Sequence, residues 1–453
     1  MKLATSLLFL LLLTLNLAHA EHAKFLAFPE GFKWCVATSA HQIEGYNTES
    51  DWWDWEQIPG KIKNGETSGA ACDHWNRVPQ DTLLIKNLGV KQYRFSVEWA
   101  KIEPREGQWD FEAILHYQLE ILALRAAGIE PMITLHHFTF PRWLREKGGW
   151  EWEGTPEAFA AYAEKVYTLI GALGVRDWIT INEPMVHLVL GYLSGMEPPG
   201  YADIKKVAAP LRGMLLSHAA AYRRLHRLAQ ENGRDIRVGV AHHLRVFDPH
   251  SKINPLDRYL AAKFDEIFNW GFDEPLTTGR MKIKIPFTIH VDERLPGIVG
   301  TQDFIGVNYY TRDIIKFALK KPLPAEMLVK EGAATTDVGW EIYPKGFYRM
   351  LRAVAERHPG VPIVITENGT ADSRDAFRGE FLKDHLAQLH RAIHEGIPVE
   401  GYCHWSLMDN FEWIYGFEPR FGLYSVDYAT QKRTLRESGR LYQQISRENG
   451  FWR

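Results

Sequence analysis

Cysteine is scarce in this chain. Cys35, Cys72 and Cys403 are the only three among 453 residues, which excludes a disulfide framework, and an odd count leaves at least one thiol unpaired in a monomer. All three are expected to serve as small packing residues. Cys–His spacings of the zinc-binding type are missing as well, which argues against a structural zinc site. Charge of one sign is also lacking. Lys plus Arg total 53 against 56 Asp plus Glu, a formal charge of −3, so nothing draws the chain toward nucleic acid or an anionic membrane. The implied partner is neutral or small. Low-complexity tracts, linkers and short tandem repeats are absent too.

The one long apolar run is at the start. Lys2 precedes "LLFLLLLTL" (Leu7 to Leu15) and then "AHA" (Ala18 to Ala20), the charge, apolar stretch and small-residue cleavage pattern of a secretory signal. A transmembrane helix needs about 20 apolar residues, more than this run supplies. We therefore expect a leader over residues 1–20, a mature domain over 21–453, and a secreted or periplasmic protein. No cysteine follows the expected cleavage site, so nothing suggests a lipid anchor. What the chain does have is aromatic residues, 13% of the total with 16 Trp. Indoles in such number either fill core and surface or line clefts that bind flat apolar faces, and sugar rings have such faces.

Eight strand candidates follow in order: "FKWCVATSA", "QYRFS", "EPMITLHH", "DWITIN", "IRVGVAHH", "FIGVNYY", "PIVITEN" and "GYCHWSL". Several are continuous apolar runs, as expected of strands covered on both faces. Helix-period segments lie between most of them, including Phe111 to Ala127 closed by Gly128, Pro156 to Leu173 with Thr155 as N-cap, and Gly379 to Glu395 closed by Gly396. Eight β-α units point to an α/β fold of the single-domain (β/α)8 TIM-barrel type, with a doubly wound sheet as the alternative.

In such a barrel chemistry sits where strands end. "WITINEP" ends in Asn182, Glu183 and Pro184, and "IVITENG" in Thr366, Glu367, Asn368 and Gly369, so two strands deliver a Glu to the same rim. Each Glu alone could be a solvated loop carboxylate. Together they are the equipment for glycosidic cleavage, one protonating the leaving oxygen while the other attacks the anomeric carbon or activates water. The acid then needs a raised pKa, and the nucleophile needs a cation or donors that keep it ionised. Arg94, ending "YRFS" in an apolar setting, requires a carboxylate partner, either Glu367 or a structural one such as Glu98. Asn-Gly after Glu367 is expected to let the chain turn away.

From Phe28 to the last helix the chain resembles family 1 glycoside hydrolases of the β-glucosidase type. The matching stretches run in the family's order: "FPEGFKWCVATSAHQIEG", "YRFSVEW", "LHHF", "TINEP" with "GYLSGMEPPG", "GVNYY", "ITENG" and "WSLMDNFEW". The resemblance implies Glu183 as acid/base and Glu367 as nucleophile, with Asn182 on the sugar 2-hydroxyl. Arg94 and Tyr310 would hold Glu367. Gln42, His137, Trp405, Glu412 and Trp413 would grip the remaining hydroxyls, with Asn308 close by, and no cofactor or metal is implied. The family is retaining, so a covalent glycosyl-enzyme is expected between carboxyl groups about 5–5.5 Å apart.

The expected activity is removal of terminal β-glucosyl residues from short β-glucosides such as cellobiose and aryl glucosides, with β-galactosides and β-fucosides also accepted. Three rival readings each meet an obstacle in the sequence. Receptor-like relatives lack one carboxylate, whereas both are present here. Myrosinase-like thioglucosidases carry Gln where Glu183 stands. The 6-phospho-β-glycosidases carry Ser for Glu412, and Lys and Tyr where this chain has Pro419 and Phe421, so a phosphate would meet repulsion and no Lys. His137-Phe138 and Met185 depart from the family's "HW" and "NEPW", which leaves the leaving-group side open. His136, His187, His242 and His243 either line the entrance or are ordinary loop histidines. Residues 282–297 and 318–334 read as loops over the barrel mouth, and "KFALKK" as a solvated face.

Overall fold

All eight expected strands form, and they close into a barrel: β1 (Lys33–Ala37), β2 (Gln92–Ser96), β3 (Glu130–His136), β4 (Asp177–Asn182), β5 (Arg237–Pro249), β6 (Phe304–Phe317), β7 (Ile363–Asn368) and β8 (Val399–Trp405). Each strand pairs in parallel with the next, and β8 pairs with β1 to close the ring. The computed structural model describes residues 24–285, 289–320 and 323–453, so the expected leader lies outside the described residues. Apolar runs such as "IVIT" are continuous because both faces of a barrel strand are covered. One face meets the interior, where Met132, Ile179, Ala241, Phe304 and Val364 from β3 to β7 form one buried cluster. The other meets helices including His74–Leu88, Phe111–Ala126, Thr155–Leu169, Ala208–Glu231, Pro344–Arg357 and Arg378–His394. No helix among the described residues is long and apolar enough to cross a membrane.

Local rules explain most boundaries, and several expectations need correction. Helix Phe111–Ala126 starts where the Asp110 carboxylate accepts from the N–H groups of Glu112 and Ala113. Thr155 is not an N-cap. It is the first helical residue, after Gly154, and its hydroxyl donates to the Gly149 carbonyl. That helix stops at Leu169 rather than Leu173, and a 3₁₀ turn over Gly171–Leu173 follows. A Cβ on Gly171 would lie 2.3 Å from the Trp178 ring, so the turn brings backbone against β4.

The segment over residues 282–297 is not simply a loop, because Arg280–Ile285 and Ile289–Arg294 form an antiparallel hairpin. Its half-buried alternation is the period-2 pattern of a ribbon with one wet face. Within 318–334, Ala325–Leu328 adds a short strand antiparallel to the end of β6. Of "KFALKK", Lys316 and Phe317 belong to β6, and Lys320 pairs with Glu326 at 2.6 Å. Cys35 and Cys403 are also more than packing residues. They are direct partners in the β1–β8 register and are joined as a disulfide, which leaves Cys72 as the free, buried thiol.

Candidate active site

The carboxyl ends of the strands gather the polar residues the sequence had marked. Arg94 on β2 is wholly buried, where an unpaired guanidinium would be costly. Its partner is Glu367 and not Glu98: Nη1 donates to Glu367 Oε1 at 2.6 Å and to the Thr366 carbonyl at 2.9 Å, and Nη2 to Asn182 Oδ1 at 2.7 Å. Glu98 instead caps the next short helix and accepts from Thr139. Tyr310 on β6 donates its phenol to the second oxygen of Glu367 at 2.5 Å. Glu367 is thus held between a cation and a phenol at the end of β7.

Glu183 follows β4 with a φ of 46°, a left-handed conformation rare outside glycine. Its Oε1 accepts from Asn308 Nδ2 at 2.8 Å and faces His243 Nδ1 at 2.9 Å, while Oε2 has no hydrogen-bond partner among the described residues. Asn308 is oriented in turn by the Thr366 hydroxyl, which donates to its Oδ1 at 2.6 Å. Phe138 and Trp413 also have positive φ, 71° and 53°. Three such non-glycine residues around one cleft mark a backbone held in strain where side chains must be aimed.

The expected sugar-side residues line the same end. His137 accepts at Nε2 from Asn182 Nδ2 at 3.2 Å, and its ring lies nearly parallel to those of Trp405 and Trp413. Burial and the nearby Arg94 hold its pKa well below the ordinary histidine value, so it is a neutral ring. Trp405 Nε1 donates to Glu412 Oε1 at 3.3 Å. Both amide hydrogens of Gln42 are engaged by protein, Asn410 Oδ1 at 3.0 Å and the Phe411 carbonyl at 2.9 Å. Only its Oε1, which already accepts from Ser39, retains a free lone pair.

Asn-Gly after Glu367 also has a different reason from the expected one. A Cβ on Gly369 would stand 1.7 Å from the Trp405 carbonyl, so glycine is required by the close approach of β8 rather than by a left-handed turn.

Of the four histidines left open, His136 and His187 are buried among Phe138, Phe140 and Trp150, and His242 faces Gln302. Only His243 reaches a carboxylate of the site. Glu197 was not marked by the sequence. It is buried, and desolvation together with the charge of Glu183 pushes it up to about 8, so it is protonated near neutrality. A lone Glu in "GMEPPG" carries no spacing signal that would have singled it out.

The two central carboxyls titrate as a pair, each charge raising the other's pKa. Burial pushes Glu367 up to about 7, opposed by Arg94 and Tyr310 and reinforced by Glu183. Burial also raises Glu183, but the charge and hydrogen bond of His243, with the Asn308 amide and Arg94, hold it below the ordinary value. This ordering is the reverse of the raised acid and low nucleophile expected from sequence. Burial of Glu367 sets one half of it, and the other comes from His243, first among the groups that lower Glu183 and a residue to which the sequence had given no such role.

A barrel rim with two buried carboxyls, donors fixed on each and indoles beside them is arranged for chemistry at a glycosidic bond. The family model described as Glycosyl hydrolase family 1 matches residues 25–451. The chain belongs to glycosyl hydrolase family 1. Among family 1 relatives, beta-glucosidase A of Thermotoga maritima is 36% identical over 447 residues, covering 94% of this chain and 98% of its own. A beta-galactosidase of Pyrococcus woesei is 30% identical over 507 residues, covering 93% and 98%. The structure of the Thermotoga maritima beta-glucosidase in complex with deoxynojirimycin superposes with a TM-score of 0.87 at 34% identity, covering 94% of this chain and 99% of that one. The protein is a glycoside hydrolase with the barrel of its family.

Proposed function

We propose that the protein is a retaining β-glucosidase that removes terminal non-reducing β-glucosyl residues from short β-glucosides, with β-galactosides as further substrates. The observation that carries this reading is Glu367 held by Arg94 and Tyr310 opposite a Glu183 whose Oε2 is uncommitted. The reactive form carries the pair's proton on Glu183 and leaves Glu367 ionised, the less populated of the two arrangements because Glu367 is the weaker acid. Glu367 attacks the anomeric carbon, the bond to the leaving oxygen breaks, and that oxygen takes the proton from Glu183. Glu183 then accepts a proton from water, which attacks the glycosyl-enzyme and frees Glu367.

Asn182, His137, Gln42, Trp405, Glu412 and Trp413 are the sugar-side contacts in this reading, with Asn308 orienting Glu183. Glu412 beside the Trp405 ring suits the 4- and 6-hydroxyl groups, and acceptance of an axial 4-hydroxyl would extend activity to galactosides. The beta-galactosidase named among the relatives supports that extension. Export is proposed from the leader pattern over residues 1–20, and the Cys35–Cys403 disulfide fits an oxidising compartment.

The test is the initial rate on 4-nitrophenyl β-glucoside, β-galactoside and 6-phospho-β-glucoside, with Glu367→Ala as blank. Fast turnover of the first, lost in the blank, is expected. Turnover confined to the phosphorylated substrate, or none at all, would overturn the proposal.

A further inference from the structure

Strand β5 grips Glu183 twice. The Glu183 N–H donates to the Ala241 carbonyl at 2.8 Å, and two residues on, along the same face of the strand, His243 points its Nδ1 at Glu183 Oε1. His243 is also the direct register partner of Asn308 on β6, so the two groups that meet Oε1 come from one rung of the barrel. Asn308 Nδ2 can only donate, which makes Oε1 an acceptor, and an ionised carboxylate accepts at both oxygens, so His243 must carry its hydrogen on Nδ1. The imidazole is 9% exposed and wedged between Phe268 and Tyr310, with ring centroids 5.7 and 5.6 Å away. Its Nε2 has no partner among the described residues, so the contact with Glu183 is its single directed bond.

We propose that His243 is a positioning residue for the acid/base carboxyl: with Asn308 it pins Glu183 Oε1 as an acceptor and so confines the transferable proton to Oε2. This inference rests on the reading of Glu183 as acid/base. As Oε2–H passes to the leaving oxygen, the anomeric C–O bond breaks, its electron pair stays on that oxygen, and negative charge appears on Glu183. A donor already aimed at Oε1 becomes charge-assisted at that moment and is therefore stronger in the transition state than before it.

The other groups that face Glu183 are Arg94 on β2, Tyr310 on β6, Glu367 on β7 and Glu197 in the loop beyond β4. Arg94 opposes the pull of the neighbouring carboxyls, and none of these donates a hydrogen bond to Oε1. Removing the His243 donor therefore raises the pKa of Glu183.

The experiment compares kcat/KM of the wild-type protein, His243→Phe and His243→Asn on 2,4-dinitrophenyl β-glucoside and methyl β-glucoside across pH. A dinitrophenolate leaves without protonation, whereas an alkoxide needs the acid. His243→Phe should lose on the order of tenfold more on the methyl glucoside than on the dinitrophenyl glucoside, and its acid limb, which follows the lower-lying Glu183, should move to higher pH. His243→Asn, whose amide N–H falls near the place of Nδ1, should recover most of both effects. His243→Leu provides a second donor-free variant if the Phe variant does not fold. Equal losses on both substrates with an unmoved acid limb would overturn the role of His243 while leaving the glycosidase reading intact. Wild-type protein that hydrolyses neither substrate would overturn that reading and this inference with it.

Discussion

Glu412 should make the protein less stable as pH rises, and Glu412→Gln should remove that dependence. Burial pushes its carboxyl from 4.5 up to about 8, helped by Glu367 and Asp409 and only partly offset by the hydrogen bond from Trp405. A folded-state pKa above the unfolded value means that the native state holds a proton the unfolded chain has already released. The stability this supplies is fully present below about 4.5 and is lost as pH climbs through about 8, where the curve flattens. At about 1.4 kcal/mol per pH unit, the rise from 4.5 to about 8 sets a ceiling of about 5 kcal/mol. Water reaches part of this side chain at the cleft wall, so the measured value falls below that ceiling.

Gln has the same shape and no charge to bury, so the difference in unfolding free energy between Glu412→Gln and wild type isolates this one carboxyl. Guanidinium unfolding of both proteins from pH 4.5 to pH 9 should show the variant gaining several kcal/mol relative to wild type across that window, while KM for aryl glucoside rises. A difference that stays flat from pH 4.5 to pH 9 would refute the reasoning.

Tyr310→Phe removes the phenol that donates to Glu367. A bond to a charged group contributes about 1.5–3 kcal/mol, so kcat should fall about tenfold to a hundredfold. Because that donor lowers the Glu367 pKa, which lies above that of Glu183, the basic limb of the rate profile should shift to higher pH. An unmoved limb would contradict the contact. For the disulfide, thiol titration of the denatured protein should find one thiol before reduction and three after it. The Cys35→Ala/Cys403→Ala double variant should lose about 2–4 kcal/mol, the usual contribution of a disulfide. Three thiols without reductant would show the pair to be open.

Much of the barrel was legible because parallel strands covered on both faces leave runs such as "PIVIT" and "DWITI" that little else explains. β5 runs past "IRVGVAHH" to Pro249. The hairpin of Arg280–Ile285 and Ile289–Arg294 was hidden because the Lys and Pro residues of the segment suggested a loop, although Met281, Ile283, Ile289 and Val291 alternate with exposed neighbours. The disulfide was hidden for a different reason. Cys35 and Cys403 meet only because β8 closes on β1, a fact of ring closure that no local pattern carries.

The site divides along the same line. Glu183 and Glu367 are visible as carboxylates ending apolar strands, and Arg94 as a buried cation in need of one of them. The role of His243 depends on which rung of β5 stands beside Asn308, and that register exists only in the folded sheet. Gln42 matched a motif, yet its donors turn inward to Asn410 and Phe411.

The central claim is that Glu367 is the nucleophile and Glu183 the acid/base, and the anomer formed in azide rescue tests it most directly. Glu367→Ala supplied with an activated aryl β-glucoside and azide should regain turnover and yield the α-glucosyl azide, because azide attacks from the face Glu367 vacated. Glu183→Ala under the same conditions should yield the β-glucosyl azide by way of an intact glycosyl-enzyme. The same anomer from both variants would contradict the assignment of the two carboxylates.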